Sequence, residues 1–214
     1  IKKTEGSFWI DKDFAVFSVG QYLKRGKNTL TLTAPRMHIL AEIMPVYFIG
    51  DFLVKPSANG FEITNGNISS AGSWREVGLP FYSQNVSYTR TFPVKKAEGS
   101  RFKVKLKKWN GTVAGVLVNG QPAGLIAWQP YELDITSFLK EGDNSIKVKV
   151  TGSLKNTFGV FYDKNDDWLI GPHSWINAPV NSPSASEYSL IDYGLLETFS
   201  LMQQLDLTQM KPAN

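Results

Sequence analysis

The residues best suited to chemistry lie late in the chain, in Tyr162-Asp163-Lys164-Asn165-Asp166-Asp167-Trp168 and the following His173-Ser174-Trp175. Here flat aromatic rings stand beside carboxylates and an amide. That combination suits sugars, whose C–H faces stack on indole while their hydroxyls take bidentate hydrogen bonds. Tyr162, Asp166, Asp167, Trp168, His173 and Trp175 are therefore candidate carbohydrate-binding residues. Trp128 joins them, because Pro130 in Ala127-Trp128-Gln129-Pro130-Tyr131 sets it on a loop after a strand. The competing reading of Trp168 and Trp175 has them plugging an edge of the fold or packing on a neighbouring domain.

Other chemistries find little support. Glu76, Asp134, Asp163, Asp166, Asp167 and Asp192 are available, but no spacing singles out the pair of carboxyl groups that glycoside cleavage requires, and no catalytic residue is assigned. His38 and His173 stand in no metal-ligand spacing. Neither a Gly-x-Ser-x-Gly elbow nor a glycine-rich phosphate loop occurs. The acidic run 163–167 offers oxygen ligands for a structural calcium, without EF-hand spacing; no other cofactor is expected.

Composition bounds the elements that must position these groups. The chain has 214 residues, a net charge of +4, no cysteine and six tryptophans. Aromatic residues make up 13% and charged residues 20%, which excludes a disordered tail, and no apolar run is long enough to span a membrane. The excess lysine alternates with apolar residues in Phe102-Lys103-Val104-Lys105-Leu106-Lys107 and Ile146-Lys147-Val148-Lys149-Val150. A period of two places those lysines on the solvent side of strands and argues against a nucleic-acid partner, which needs a clustered basic footprint. The start, Ile1-Lys2-Lys3-Thr4, shows neither an initiator Met nor a signal pattern, so the chain reads as a piece of something longer.

Four Asn-Gly pairs, at 59–60, 65–66, 110–111 and 119–120, read as hairpin tips. Between and around them, β-prone runs predict strands over 28–33, 46–54, 60–64, 86–92, 102–106, 112–118, 132–135, 145–151 and 157–162. Trp74 and Trp109 flank strands and are expected in the core. The fold class is all-β, a β-sandwich or jelly roll with extra N-terminal strands. The stretch 194–205 fits a helix face or a strand equally by periodicity.

An internal repeat divides the chain. Phe17 to Ala34 (FSVGQYLKRGKNTLTLTA) aligns without a gap with Leu133 to Val150 (LDITSFLKEGDNSIKVKV), with Leu23/Leu139, Lys24/Lys140, Gly26/Gly142 and Asn28/Asn144 identical. Each copy reads as one helical turn whose aromatic-Leu pair plugs a core, a left-handed Gly, and an Asn leading into a strand. The second copy comes after a full set of strands and the first does not. Residues 1–45 are thus expected to be closing strands of a preceding β-sandwich or an N-terminal extension, and 46–210 the main sandwich.

Several short motifs carry a family resemblance. Trp74, Gly78-Leu79-Pro80-Phe81-Tyr82, Val86 to Phe92, Val116-Leu117-Val118-Asn119-Gly120, Trp128-Gln129-Pro130-Tyr131-Glu132-Leu133-Asp134 and Leu139-Lys140-Glu141-Gly142-Asp143-Asn144 resemble the galactose-binding-like jelly roll that serves glycoside hydrolase family 2 as a sugar-binding domain. Gly50-Asp51-Phe52, Gly171-Pro172-His173, Ser174-Trp175 and Tyr188 to Leu195 resemble the C-terminal region of family 106 α-L-rhamnosidases. The resemblance implies that the C-terminal stretch is strand. It also implies a non-catalytic module of a larger exported bacterial glycoside hydrolase, whose catalytic domain would be its partner, with plant or host glycan as ligand. Periplasmic, cell-surface or secreted placement is implied with it. A free-standing glycan-binding protein and an autonomous hydrolase are the alternatives.

Overall fold

The computed structural model describes residues 1–33, 36, 39, 45–68, 71–161 and 183–205. The chain divides into two compact units, Ile1–Ile49 and Gly50–Asn214.

In the first unit, β1 (Phe8–Trp9) and β2 (Asp11–Ala15) form a short antiparallel hairpin. Trp9, Phe14 and Tyr47 pack ring to ring, with centroids 5.2–6.0 Å apart, in a small aromatic cluster. A 3-10 turn comes next at Gly20–Tyr22. Residues 28–33, expected as a strand, have no regular structure. A strand persists only when a neighbour takes its backbone groups, and among the described residues none lies beside this one.

The second unit is an all-β sandwich. It contains β3 (Leu53–Ser57), β4 (Gly60–Thr64), β5 (Asn85–Val94), β6 (Ser100–Lys105), β7 (Trp109–Asn110), β8 (Val113–Val118), β9 (Gln121–Ile126), β10 (Glu132–Asp134), β11 (Gly142–Thr151), the one-turn helix α1 (Lys155–Phe158), β12 (Gly194–Leu195) and β13 (Ser200–Leu205). A four-stranded antiparallel sheet runs β5-β11-β8-β9 and a three-stranded one β10-β6-β13, with the small pairs β3-β4 and β12-β7 beside them. Alternation sets the core. Ile146, Val148 and Val150 of β11, Ala114, Val116 and Val118 of β8, and Phe102 and Val104 of β6 are buried in one cluster with Trp74, Ile135, Leu195 and Phe199. Lys147 and Lys149 point to solvent as their spacing requires. The C-terminal stretch is strand, since β13 pairs with β6 from Ser200↔Lys105 to Leu205↔Ser100.

Three local expectations need correction. Asn59-Gly60 and Asn119-Gly120 do turn hairpins, the latter with φ of 52° and 85°, but Asn65-Gly66 and Asn110-Gly111 do not. Asn65-Gly66 lies after β4, which among the described residues pairs only with β3. Asn110 ends β7, which pairs with β12, and a Cβ on Gly111 would lie 2.7 Å from Val150 Cγ1, so that glycine serves close backbone approach. Residues 157–162, expected as strand, begin inside α1. There the buried Asn156 side chain donates to the carbonyls of Pro80 and Ile191 at 2.9 and 2.8 Å and accepts from the Ile191 amide at 2.9 Å, taking the place of a strand neighbour. The strand expected over 46–54 is displaced, starting only at Leu53.

The repeat is present in both backbones. Gly20–Tyr22 and Thr136–Phe138 are the paired 3-10 turns, closed by Leu23 and Leu139 in extended conformation, and Gly26 and Gly142 come after them at φ of 92° and 82°. In the second copy the aromatic-Leu pair fills the core, with Leu139 buried and Phe138 packed against the cluster. In the first, Tyr22 and Leu23 are 60% and 51% exposed, contrary to the expectation that they plug a core.

Candidate functional site

Of the residues expected to bind carbohydrate, the described part of the chain contains Trp128; Tyr162, Asp166, Asp167, Trp168, His173 and Trp175, like the proposed calcium loop 163–167, lie outside the described residues. Trp128 stands on a turn at the end of β9. β9 ends on the buried Ile126, the Gln129–Pro130 peptide is cis, and the Tyr131 amide donates to the Trp128 carbonyl at 3.1 Å, closing a four-residue turn with cis-Pro at its third position. Beyond the turn, the Tyr131 carbonyl accepts from the Leu106 amide at 3.0 Å and its ring meets Trp109 edge-on at 5.4 Å. Trp128 itself is 82% exposed. An indole so displayed on a chain anchored at both ends is a ready stacking platform.

The next residues carry charge. Glu132 on β10 faces Lys105 on β6 in register and accepts from its Nζ at 2.9 Å, with Lys103 Nζ at 3.5 Å. The hydrogen bond from Lys105, helped by the charges of both lysines, holds the Glu132 carboxyl below its usual range. Two residues on, the Thr136 hydroxyl and amide donate to Asp134 Oδ1 at 2.6 and 2.9 Å, and Arg101 lies 3.8 Å from Oδ2. Thr136 therefore keeps the Asp134 carboxyl low, with Arg101 and Lys103 adding to the effect. Both carboxylates are ionised and already partnered, so they can accept hydrogen bonds but are poor general acids. Sequence spacing alone did not reveal this cluster, because it depends on the register between β6 and β10.

A shallow cleft of about 270 Å³ lies between the β3–β4 hairpin and the turn at 76–78, lined in part by Lys55, Thr64, Asn67, Ile68, Glu76 and Val77. Glu76 is the one carboxylate among its described lining residues, whereas glycoside cleavage uses a pair.

The flanks of the 162–182 segment converge on a second aromatic group. Tyr188 packs against Phe61, Phe81 and Phe161 at 5.4, 5.7 and 5.3 Å, and the Ser189 amide donates to the Val160 carbonyl at 2.9 Å. On the far flank, the Pro183 carbonyl and the Tyr188 hydroxyl lie 3.7 and 3.2 Å from the position a Cβ would take on Gly60. Burial raises the Tyr188 hydroxyl pKa, so the ring anchors the group as a neutral aromatic side chain. The expectations made no use of this anchor; four aromatic residues spread over separate elements give no local signal.

No protein-family model matches the chain. Among curated proteins it is 32% identical over 117 residues to one called "Putative beta-glucuronidase" from Formosa agariphila, a match covering 52% of this chain and 10% of that protein. The chain thus spans about a tenth of the length of that relative. Solved structures with partial overlap include a rhamnosidase from Novosphingobium sp. PP1Y, with a TM-score of 0.42, 24% identity, and coverage of 59% of this chain and 12% of that one. The β-glucuronidase of Bifidobacterium dentium, complexed with coumarin-3-O-glucuronide, overlaps with a TM-score of 0.41, 18% identity, and coverage of 72% and 28%. The sequence likeness is local: it relates a module-sized piece of this chain to a small part of a much longer protein.

Proposed function

We propose that this chain is a non-catalytic, galactose-binding-like β-sandwich module of a larger exported bacterial glycoside hydrolase, which packs beside the catalytic domain and takes plant or host glycan on exposed aromatic side chains. The observation that carries the reading is the 32% likeness confined to a tenth of a protein named for glucuronidase activity. Two features of the site support it. The described carboxylates with displaced pKa values, Glu132, Asp134 and Glu187, are all displaced downward, opposite to a glycosidase's general acid. Trp128 offers a solvent-facing indole on a turn anchored at both ends. The test is a glycan array probed with the 214-residue chain, alongside turnover assays on nitrophenyl glucuronides, galactosides and rhamnosides. We expect glycan capture without turnover, and a loss in affinity of about tenfold for Trp128→Ala, in line with one stacking contact. Turnover abolished by changing one carboxylate would overturn the non-catalytic reading, and failure to retain any glycan would leave a purely architectural module.

A further inference from the structure

The two copies of the repeat share a hydrogen-bond device that neither alignment nor turn statistics require. Asn144 Oδ1 accepts from the Lys140 amide at 2.9 Å, while its Nδ2 donates to the carbonyls of Lys140 and Gly142, both at 2.8 Å. Asn28 repeats the arrangement. Its Oδ1 accepts from the Lys24 amide at 3.0 Å, and its Nδ2 donates to the carbonyls of Lys24 and Gly26 at 2.8 and 2.9 Å. Turn, left-handed glycine and asparagine clamp therefore coincide residue for residue.

Beyond the clamp the two copies diverge. After Asn144 the chain enters the four-stranded sheet, where β11 pairs with β5 on one side and β8 on the other. Ile146 and Val148 are fully buried there. Their counterparts Leu30 and Leu32 are 43% and 67% exposed, and Leu23, the counterpart of Leu139, is 51% exposed. The alternation Thr29-Leu30-Thr31-Leu32-Thr33 is that of a strand with one apolar face, and its β-branched threonines favour extended backbone. A strand built to this pattern, preceded by a formed clamp and without ladder partners among the described residues, is an incomplete sheet.

We propose that residues 17–33 are the lead-in turn and central strand of a second β-sandwich of the same build, and that its flanking strands come from polypeptide N-terminal to them. Chain order identifies the occupant. Around the second copy, the flanking strands β5 and β8 and the facing strand β6 all precede the clamp in sequence. Ahead of the first copy lie only β1 and β2, two and five residues long and paired with each other, which cannot flank a six-residue strand on both sides. The match takes up only 10% of the relative's length, which leaves room for further modules in such a protein. The partner surface is thus two antiparallel strand edges with apolar side chains facing Leu30 and Leu32. This inference stands apart from the glycan reading, and either can fail alone.

The test compares residue-resolved hydrogen exchange in the 214-residue chain with that in the longer protein encoded by the same gene. In the 214-residue chain, amides 29–33 should exchange on the order of 10³ times faster than amides 145–149; in the longer protein they should slow by at least about 100-fold. Leu32→Lys should shift the melting temperature of the shorter chain by less than about 1 °C and lower that of the longer protein's N-terminal module by about 5 °C or more. Protection already present in the shorter chain, protection that rises with its concentration as a second copy would cause, or fast exchange in the longer protein would each overturn the proposal. A gene that does not continue upstream would overturn it as well. An independent measurement grafts the 17–34 sequence into positions 133–150: cooperative unfolding is expected to survive, and its loss would refute the equivalence of the two copies.

Discussion

Residues 17–33 and 133–149 begin with the same turn, the same positive-φ glycine and the same asparagine clamp, yet only the second copy continues into a paired strand. Leu139 is 5% exposed against 51% for Leu23, and Val148 0% against 67% for Leu32. The contrast separates two levels of encoding. The clamp closes between residues at most four apart, so its geometry forms wherever the sequence occurs. The strand beyond it depends on backbone groups contributed from far along the chain, and without them an alternating sequence stays irregular. Local chemistry writes the entrance to the strand; the neighbours write the strand.

The largest expected effect breaks the comparison at the buried face. Ile146→Lys places an unpaired charge between the two sheets and should cost about 3–5 kcal/mol, a large share of the second unit's stability. Leu30→Lys, at the equivalent position, should stay within about 0.5 kcal/mol in the same chain. Urea unfolding followed by tryptophan fluorescence reads both, and equal losses would mean that the first copy is already packed. Next in size is the clamp. Asn144 is fully buried and also accepts from Asn119 Nδ2 at 2.9 Å, so Asn144→Ala strands several backbone and side-chain groups at about 2–4 kcal/mol in total. Asn28→Ala exposes the same groups to water and should cost under about 1 kcal/mol, seen as faster exchange at the Lys24 amide rather than as a shifted unfolding midpoint.

The same distinction explains how much could be read from the sequence. β6 and β11 announce themselves through period-two alternation, because each buries one face and wets the other, whereas the wholly apolar β8 is legible as a β-prone run bounded by turn signals. Asn119-Gly120 was legible because both residues take positive φ in a tight hairpin. Asn110-Gly111 was misleading: its glycine is needed for contact with Val150 and not for a turn, and no local pattern distinguishes the two uses. Thr157 and its neighbours look like strand, but Asn156, buried and bonded to Pro80 and Ile191, makes a single helical turn the better solution. Of the site, Trp128 could be found from Pro130 two residues on. Neither the ionic cluster of Glu132, Lys103 and Lys105 nor the aromatic group around Tyr188 could, since both assemble from residues brought together only by strand register and packing.

The smallest expected effect concerns an acidic residue at the start of the second copy, Asp134, that the first copy lacks. Asp134 corresponds to Ser18, and Thr136, its principal hydrogen-bond donor, to Gly20. Because Thr136 depresses the folded-state pKa of Asp134, the carboxylate adds stability that is fully present above the unfolded value of about 3.9 and is lost as pH falls through the lower folded value. Asp134→Ser should therefore destabilise the second unit at neutral pH and leave it level with the parent at strongly acidic pH, so that the two curves of unfolding midpoint against pH converge below about pH 4. The side chain is 41% exposed and solvent screens its neighbours, which keeps the gap under about 1 kcal/mol. Comparing mutant with parent at each pH cancels the titration of Glu132, which has the same sign. Ser18→Asp in the first copy meets no threonine hydroxyl two residues on, only the Gly20 amide, and should leave the acid limb unchanged; a gap that stays constant with pH for Asp134→Ser would show that Thr136 holds a side chain without holding its charge.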